Sequence, residues 1–342
     1  MTRVVAVSIM PFMAGNIGST APAESVTVVC GVCGWDAGQS LHDAREMMYG
    51  LRERFTYREC VACGCLELLD VPSDLSPYYP SDYVSFSVDA SSWKPAPRWR
   101  AFLKRRYTRY KLTGSDAIGA LAAKRFPHWT IPEWLRHVDV DRDASILDVG
   151  TGTGAALHAL NELGYTSLTG VDPFIPNDLR YPNGVVVYKR TIYETEGPFD
   201  VVLASHVFEH MAAPEESLGQ LARLLRVGST LVMSIPVSQS ALWARYGVNW
   251  VGLDAPRHLF LHNEKTIGLL ADRVGLVVDR VVYNTTTWNF TASEGYVRDI
   301  PLHEQKPEEF LTKIEMDAFA VEVEKVNAAG TGDQATFYLR KP

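Results

Sequence analysis

Ser145-Ile146-Leu147-Asp148-Val149-Gly150-Thr151-Gly152-Thr153-Gly154 is the stretch on which the fold turns. Its first five residues read as a buried strand, the glycines as a tight loop, and 155–163 as a helix stopped by Gly164. The texture repeats downstream. Strands are expected at 167–171, near 185–188, at 199–203 and at 230–235, with a helix over about 214–225. Such βα repetition predicts an α/β fold with a doubly wound parallel sheet, helices on both faces, and ligands outside the carboxyl ends of the strands.

The loop suits two ligands. As Gly150-x-Gly152-x-x-Ala155 it satisfies the dinucleotide pattern, with Asp172 spaced as a ribose-binding acid. As Asp148-x-Gly150-x-Gly152-x-Gly154 it resembles the first motif of class I S-adenosylmethionine-dependent methyltransferases. Later segments carry the same resemblance. Gly170-Val171-Asp172-Pro173 is similar to that family's second strand. Phe199-Asp200-Val201-Val202-Leu203-Ala204-Ser205-His206-Val207-Phe208-Glu209-His210, with Pro214 soon after, is similar to its fourth-strand segment. Asp254-Ala255-Pro256-Arg257-His258-Leu259-Phe260, followed by 266–275, resembles a later helix, and 327–338 the lead into the last strand.

Spanning about 140–342, the resemblance implies a Rossmann-like, seven-stranded sheet with its last strand antiparallel, and S-adenosyl-L-methionine as cofactor. Asp148 would accept hydrogen bonds from the cofactor's ammonium. Gly150, Thr151, Gly152 and Gly154 would bring the backbone close to its amino-acid tail. Asp172 and Pro173 would meet the ribose, Thr191 and Ile192 the adenine, and Ser205 completes the cofactor set. Methyl transfer is an in-line displacement, so the protein must align the reactants and take up the acceptor's proton. His206, His210 and His258 are the candidate bases, because imidazole titrates near neutral pH, and Glu209 could orient a histidine or the substrate. His206-x-x-Glu209-His210 also matches an inverted zinc-protease motif, but that chemistry needs a long helix, and here the motif begins at a strand end. A divalent metal on Glu209, His210 and a third group, or plain structural hydrogen bonding by His210 and His258, are further readings.

All five cysteines fall between residues 30 and 65. Cys30-x-x-Cys33 and Cys60-x-x-Cys63 are two tight turns that together offer the four thiolates of a closed, structural zinc site, flanked by Gly31, Gly34 and Gly64. Zn2+ would fold this lobe, and Cys65 is a spare, read as a small core residue. A similar zinc-binding segment, followed by a Tyr-Tyr-rich loop, occurs in some bacterial methyltransferases of sugar nucleotides and cell-surface glycans; here Tyr78-Tyr79 sits in the proline-punctuated loop 76–83. The implied acceptor is a small polar molecule: a hydroxyl of a sugar, sugar nucleotide or surface glycan, in sugar or natural-product biosynthesis. Sugar C-methyltransferases of that type often carry a further C-terminal domain, which this chain's length does not accommodate. Competing readings are an RNA methyltransferase, an NAD-dependent oxidoreductase, and a catalytically silent scaffold.

Eight basic residues and no acidic one lie between Lys94 and Lys111: Lys94, Arg98, Arg100, Lys104, Arg105, Arg106, Arg109 and Lys111. Trp93, Trp99, Phe102, Tyr107 and Tyr110 interleave, and Phe102, Arg106 and Tyr110 share helical spacing. This predicts a short amphipathic helix, serving as a solvated connector or meeting a phosphate-bearing substrate, an anionic membrane surface or RNA. The whole chain of 342 residues carries a formal charge of −7, which argues against a nucleic-acid partner. With 46% hydrophobic residues it is a globular composition, and no apolar run reaches the ~18–20 residues of a membrane span.

Arg3, the mildly apolar 4–14 and Ala21-Pro22-Ala23 make a weak signal-peptide pattern, alongside a disordered leader or a start at Met10 or Met13. A thiolate metal site fits a reducing, cytoplasmic setting. The expected organisation is a leader at 1–25, a zinc-binding lobe at 26–85, a basic helical connector at 86–139, and a methyltransferase domain at 140–342. An insertion at 284–333 would hold an acidic helix over 307–325, with Leu311, Ile314, Ala318 and Val321 on one face, closing the active site or contacting another copy.

Overall fold

The computed structural model describes residues 29–80 and 97–342. The expected leader, Lys94 of the basic stretch, and residues 81–83 of the tyrosine loop lie outside the described residues.

In chain order the strands are β1 (Gln39–Arg45), β2 (Arg54–Cys60), β3 (Leu66–Leu68), β4 (Ile146–Val149), β5 (Leu168–Val171), β6 (Leu179–Arg180), β7 (Val186–Tyr188), β8 (Phe199–Ser205), β9 (Leu225–Pro236), β10 (Phe260–Leu261), β11 (Val277–Tyr283) and β12 (Gln334–Arg340). The helices are α1 (Arg98–Thr113), α2 (Ala117–Arg125), α3 (Ala155–Leu163), α4 (Pro214–Leu224), α5 (Ala241–Tyr246), α6 (Glu264–Val274), α7 (Thr287–Val297), α8 (Pro307–Phe310) and α9 (Lys313–Ala328). Strand order in the large sheet is β11-β12-β9-β8-β4-β5-β7-β6. β4 runs parallel to both β5 and β8, and β5 parallel to β7. This is the mostly parallel, Rossmann-like α/β arrangement that the sequence predicts. The two-residue β6, antiparallel to β7, brings the sheet to eight strands where seven are expected. β9 begins at Leu225, five residues earlier than its apolar run suggests.

The chain divides into two compact units. One takes the described residues of Ser81–Ser205 with Gln220–Val232 and Arg340–Pro342. Its centre is β4, whose four residues are all buried, as a parallel strand covered on both faces must be. α3 buries Leu157, Leu160 and Leu163 and ends on Gly164, whose φ of +104° suits glycine. α1 is the expected basic helix. It buries Tyr107 and Thr108, pairs Lys104 with Glu162 of α3, and pairs Arg106 with Asp116. Asp116 also caps α2 by accepting from the Gly119 N–H at 2.8 Å. Gly119 has no alternative, since a Cβ there would lie 2.2 Å from the Arg106 carbonyl oxygen.

The other unit takes the described residues of Met1–Pro80 with His206–Gly219 and Met233–Leu339. Its small sheet runs β1-β2-β3-β10. β1 and β2 form an antiparallel hairpin, and β3 pairs antiparallel with β10, placing Glu67 opposite Phe260. Residues before 80 thus share a sheet with residues near 260.

The expected acidic helix is broken. α8 stops at Phe310, and Thr312 starts α9 as a capping box: its hydroxyl accepts from the Glu315 N–H while Glu315 accepts from the Thr312 N–H at 2.7 Å. The restart shifts the buried face. Leu311 is buried outside the helix, but Ile314 is 82% exposed, and Ala318 and Val321 face solvent. Phe319 and Val326 point inward instead, with Phe319 stacked on Phe290 of α7 at 5.3 Å.

Candidate active site and metal centre

In the first unit the loop from Gly150 to Gly154 carries positive φ at all three glycines, +66°, +55° and +88°, a backbone open to glycine and few other residues. Asp148, the next-to-last residue of β4, is buried, and the Thr151 hydroxyl donates to its carboxylate. Burial pushes its pKa up to about 6; the Thr151 hydrogen bond opposes this, and the charge of Asp172 adds to it. Asp172, just past β5, accepts from the Gly152 N–H at 2.9 Å and the Phe174 N–H at 2.8 Å. Burial raises its pKa too, and those N–H groups counter the rise. Two accepted bonds leave lone pairs on this carboxylate for further donors.

Sequence reasoning quoted Gly170 of β5 in its motif but gave it no role at the site. A Cβ there would sit 2.5 Å from the Thr151 Cγ2, so the bare Cα is what admits Thr151 over the strand. Its signal was the glycine inside a strand pattern. Pro173 is half-buried beside Asp172, and Ser205 ends β8 exposed. Thr191 heads a short capping box with Glu194, and Ile192 is buried, its carbonyl accepting from the Gln220 amide at 2.7 Å.

The four candidate catalytic residues lie in the second unit, and the structure gathers them. Glu209 is wholly buried, and neither of its carboxylate oxygens has a hydrogen bond of good geometry. The neighbouring imidazole nitrogens are His206 Nδ1 at 3.4 Å and His258 Nε2 at 3.8 Å. Burial alone would raise the Glu209 pKa, but the His206 hydrogen-bonding contact and the charges of His210, His258 and His206 outweigh it and hold it at about 2. His206 is exposed and sits at φ +54°, an uncommon conformation for a residue with a Cβ. Contact with Glu209 raises its pKa.

His258 turns its Nδ1 to the Gly252 carbonyl at 2.9 Å, and burial, reinforced by His210, lowers its pKa to about 4. His210 turns its Nδ1 to the Arg257 carbonyl at 2.8 Å, with the Tyr79 hydroxyl 3.4 Å from the same nitrogen. The His210 and His258 rings are 4.8 Å apart. Glu209, His210 and His258 each place a ligand atom within 4.8 Å of the others.

A buried ion network missed from sequence supports this cluster. The Arg257 guanidinium bonds Asp254 at 2.6 Å and Glu46 at 3.0 Å. Glu46 also accepts from the N–H groups of Met48, Tyr49 and Leu51, tying down the turn between β1 and β2. The Tyr57 hydroxyl of β2 donates to the His258 carbonyl at 2.7 Å. Sequence spacing offered no hint that Glu46 and Tyr57 meet residues some 200 positions later.

The two cysteine turns meet in the same unit. Cys30 Sγ lies 3.7 Å from Cys63 Sγ, and Cys33 Sγ lies 3.6 Å from Cys60 Sγ. A tetrahedron with metal–sulfur bonds of ~2.3 Å has edges of about 3.8 Å, so the four thiols fit zinc. Each turn is closed by a glycine N–H, Gly34 to the Cys30 carbonyl at 2.9 Å and Gly64 to the Cys60 carbonyl at 2.7 Å. Cys65 is buried apart from the four, as expected of a core residue.

Comparison with known proteins bears on the fold and the loop. Residues 98–281, more than half of the chain, match the family model described as a methyltransferase domain. The match begins at α1, well before residue 140. The ubiquinone biosynthesis O-methyltransferase of Maricaulis maris (strain MCS10) is 32% identical over 121 residues, 31% of this chain and 46% of that protein. Human EEF1A lysine methyltransferase 2 is 26% identical over 117 residues, 33% of this chain and 44% of that protein. The chain spans about half the length of the curated relatives it matches. Among solved structures, a putative sarcosine dimethylglycine methyltransferase from Galdieria sulphuraria aligns with a TM-score of 0.43 and 16% identity, covering 69% of this chain and 98% of that one. By its match over residues 98–281, the chain belongs to the methyltransferase-domain family.

Proposed function

We propose that this protein transfers a methyl group from S-adenosylmethionine to a small polar acceptor, a hydroxyl of a sugar, sugar nucleotide or surface glycan. The observation that carries the cofactor is the pair of buried carboxyls at the glycine loop. Asp148, raised to about 6 with Asp172 as its charged neighbour, suits a cationic ammonium, and Asp172 keeps acceptor capacity for ribose hydroxyls. When bound, S-adenosylmethionine supplies a methyl on a sulfonium that is already a good leaving group. Relatives named as O-methyltransferases favour oxygen as the receiving atom.

His206 is the proposed base. It is exposed, and with Nδ1 turned toward Glu209 its Nε2 is free to take the acceptor's proton. Glu209 stabilises the imidazolium that results, with His258 Nε2 3.8 Å from the same carboxylate oxygen. Cys30, Cys33, Cys60 and Cys63 are proposed to hold a structural zinc ion.

Calorimetry with S-adenosylhomocysteine tests the cofactor: NAD binding in its place would sink the reading. His206→Gln should lower kcat on an accepted sugar hydroxyl about 100-fold or more and leave S-adenosylhomocysteine affinity intact. An unchanged kcat removes His206 as the base, with His210→Gln as the parallel control. Metal analysis of protein purified without added metal should find one zinc per chain, and Cys60→Ser should lose both the zinc and the fold of its lobe.

A further inference from the structure

The α1–α2 hairpin carries a face that neither the cofactor loop nor the histidine cluster uses. α1 turns Arg98, Phe102, Arg105, Arg109 and Leu112 outward; they follow one another at steps of four and three, which is one side of a helix. α2 adds Ile118, Leu121, Lys124 and Arg125, all exposed. The apolar members are not marginal: Leu121 is 68% exposed, and Trp99, which flanks the α1 stripe, is 60% exposed. The hairpin behind them is fixed by the Arg106–Asp116 pair and by the close approach at Gly119, so these side chains stand on a rigid support.

The charge on this face is uncompensated. Residues 98–125 hold nine basic side chains and one acidic one, Asp116, in a chain of net charge −7. Lys104 and Arg106 have ionic partners, in Glu162 and Asp116. Arg98, Arg105, Arg109, Lys124 and Arg125 form no ion pair among the described residues. A solvated helix would expose the charges without the leucines, isoleucine and tryptophan. An RNA-binding helix would use aromatic and polar groups, and has no need of exposed aliphatic ones. Basic side chains interleaved with exposed Trp, Phe, Leu and Ile match a bilayer interface, where cations meet anionic headgroups and apolar groups enter the acyl boundary.

We propose that this hairpin face docks the protein peripherally on an anionic lipid membrane. Charge complementarity is the argument for the occupant, and the exposed aliphatic residues select lipid over other polyanions.

Co-flotation of the full chain with phosphatidylcholine vesicles, with and without about one third phosphatidylglycerol, tests it. Binding is expected to the anionic vesicles alone, falling as salt rises and roughly fivefold for each charge removed at Arg98, Arg105 or Arg109. Ile118→Ser with Leu121→Ser should abolish flotation while S-adenosylhomocysteine binding and the melting temperature stay unchanged. The proposal is overturned by no flotation at low salt, by equal flotation with neutral vesicles, or by an I118S/L121S variant that floats like the parent. It is equally overturned if the face instead binds a single-stranded RNA with salt-dependent affinity that outcompetes the vesicles.

Discussion

Asp148 and Glu209 are both buried carboxyls, one in each compact unit, and burial drives them in the same direction. They end far apart, Asp148 at about 6 and Glu209 at about 2. Asp148 has a hydroxyl and another carboxylate for company; Glu209 has three imidazoles. The unit that contains Glu209 balances its own charges, in the Glu209–histidine cluster and again in Glu46–Arg257–Asp254. The glycine-loop unit leaves a negative site without a cation among its described residues. One site is preorganised by its own side chains, and the other is electrostatically incomplete, as a site that recognises a cationic ligand should be.

The largest expected effect comes from making the balanced unit resemble the other. Arg257→Ala strands Glu46 and Asp254 as buried charges and should cost about 3–5 kcal/mol in denaturant unfolding. A triple change, Glu46→Gln, Asp254→Asn and Arg257→Met, should recover most of that loss; a single variant costing under ~1 kcal/mol would mean the network is energetically idle.

The converse change relieves the incomplete site. The Asp148 pKa is raised from its ordinary 3.8 to about 6, so the folded state holds this proton more tightly than the unfolded one, and ionisation costs stability as pH rises from 3.8 to 6. Asp148→Asn should therefore stabilise the ligand-free protein above pH 6 by about 1–3 kcal/mol and weaken S-adenosylhomocysteine binding more than tenfold. Destabilisation by this change would break the comparison.

A smaller effect sharpens it through pH. Burial lowers His258 and His262 from 6.5 to about 4. Their stabilising contribution is complete above pH 6.5 and is lost as pH falls toward 4. Glu209, lowered from 4.5 to about 2, contributes above pH 4.5 and loses this between 4.5 and 2. Acid should thus weaken the histidine-bearing unit while easing the strain at Asp148. His262, wedged between Phe208 and Phe260 with neither ring nitrogen bonded, is the cleanest probe. His262→Phe should reduce the loss of stability between pH 6.5 and 4 by about 1–3 kcal/mol, seen in melting temperatures.

Local pattern carried much of this architecture. The apolar run before Gly150, the glycine spacing and the acids at strand ends are short-range signals, and the parallel strands appear within a few residues of where they are read. The paired cysteines were legible for the same reason, because a CxxC turn is complete within four residues. Long-range partners were not. Nothing near Leu66 announces Leu261, and nothing near Glu46 announces Arg257, since such contacts depend on chain topology. The acidic helix failed differently: Thr312 and Glu315 form a capping box in plain view, but the apolar spacing across them suggested continuity. The burial of Glu209 among three imidazoles was invisible as such, for burial is a property of the fold.

The pairing of β3 with β10 has a consequence for how the protein is made. About 190 residues separate Leu68 from Phe260, so a ribosome adding ~5–20 residues per second leaves the β1–β2–β3 edge without its neighbour for roughly 10–40 seconds. During that interval four clustered thiols and an open strand edge are accessible to oxidants and to other nascent chains. If the cysteine turns hold zinc as proposed, early capture of the ion would shield the thiols before the sheet closes, and zinc supply during translation would then bear on yield.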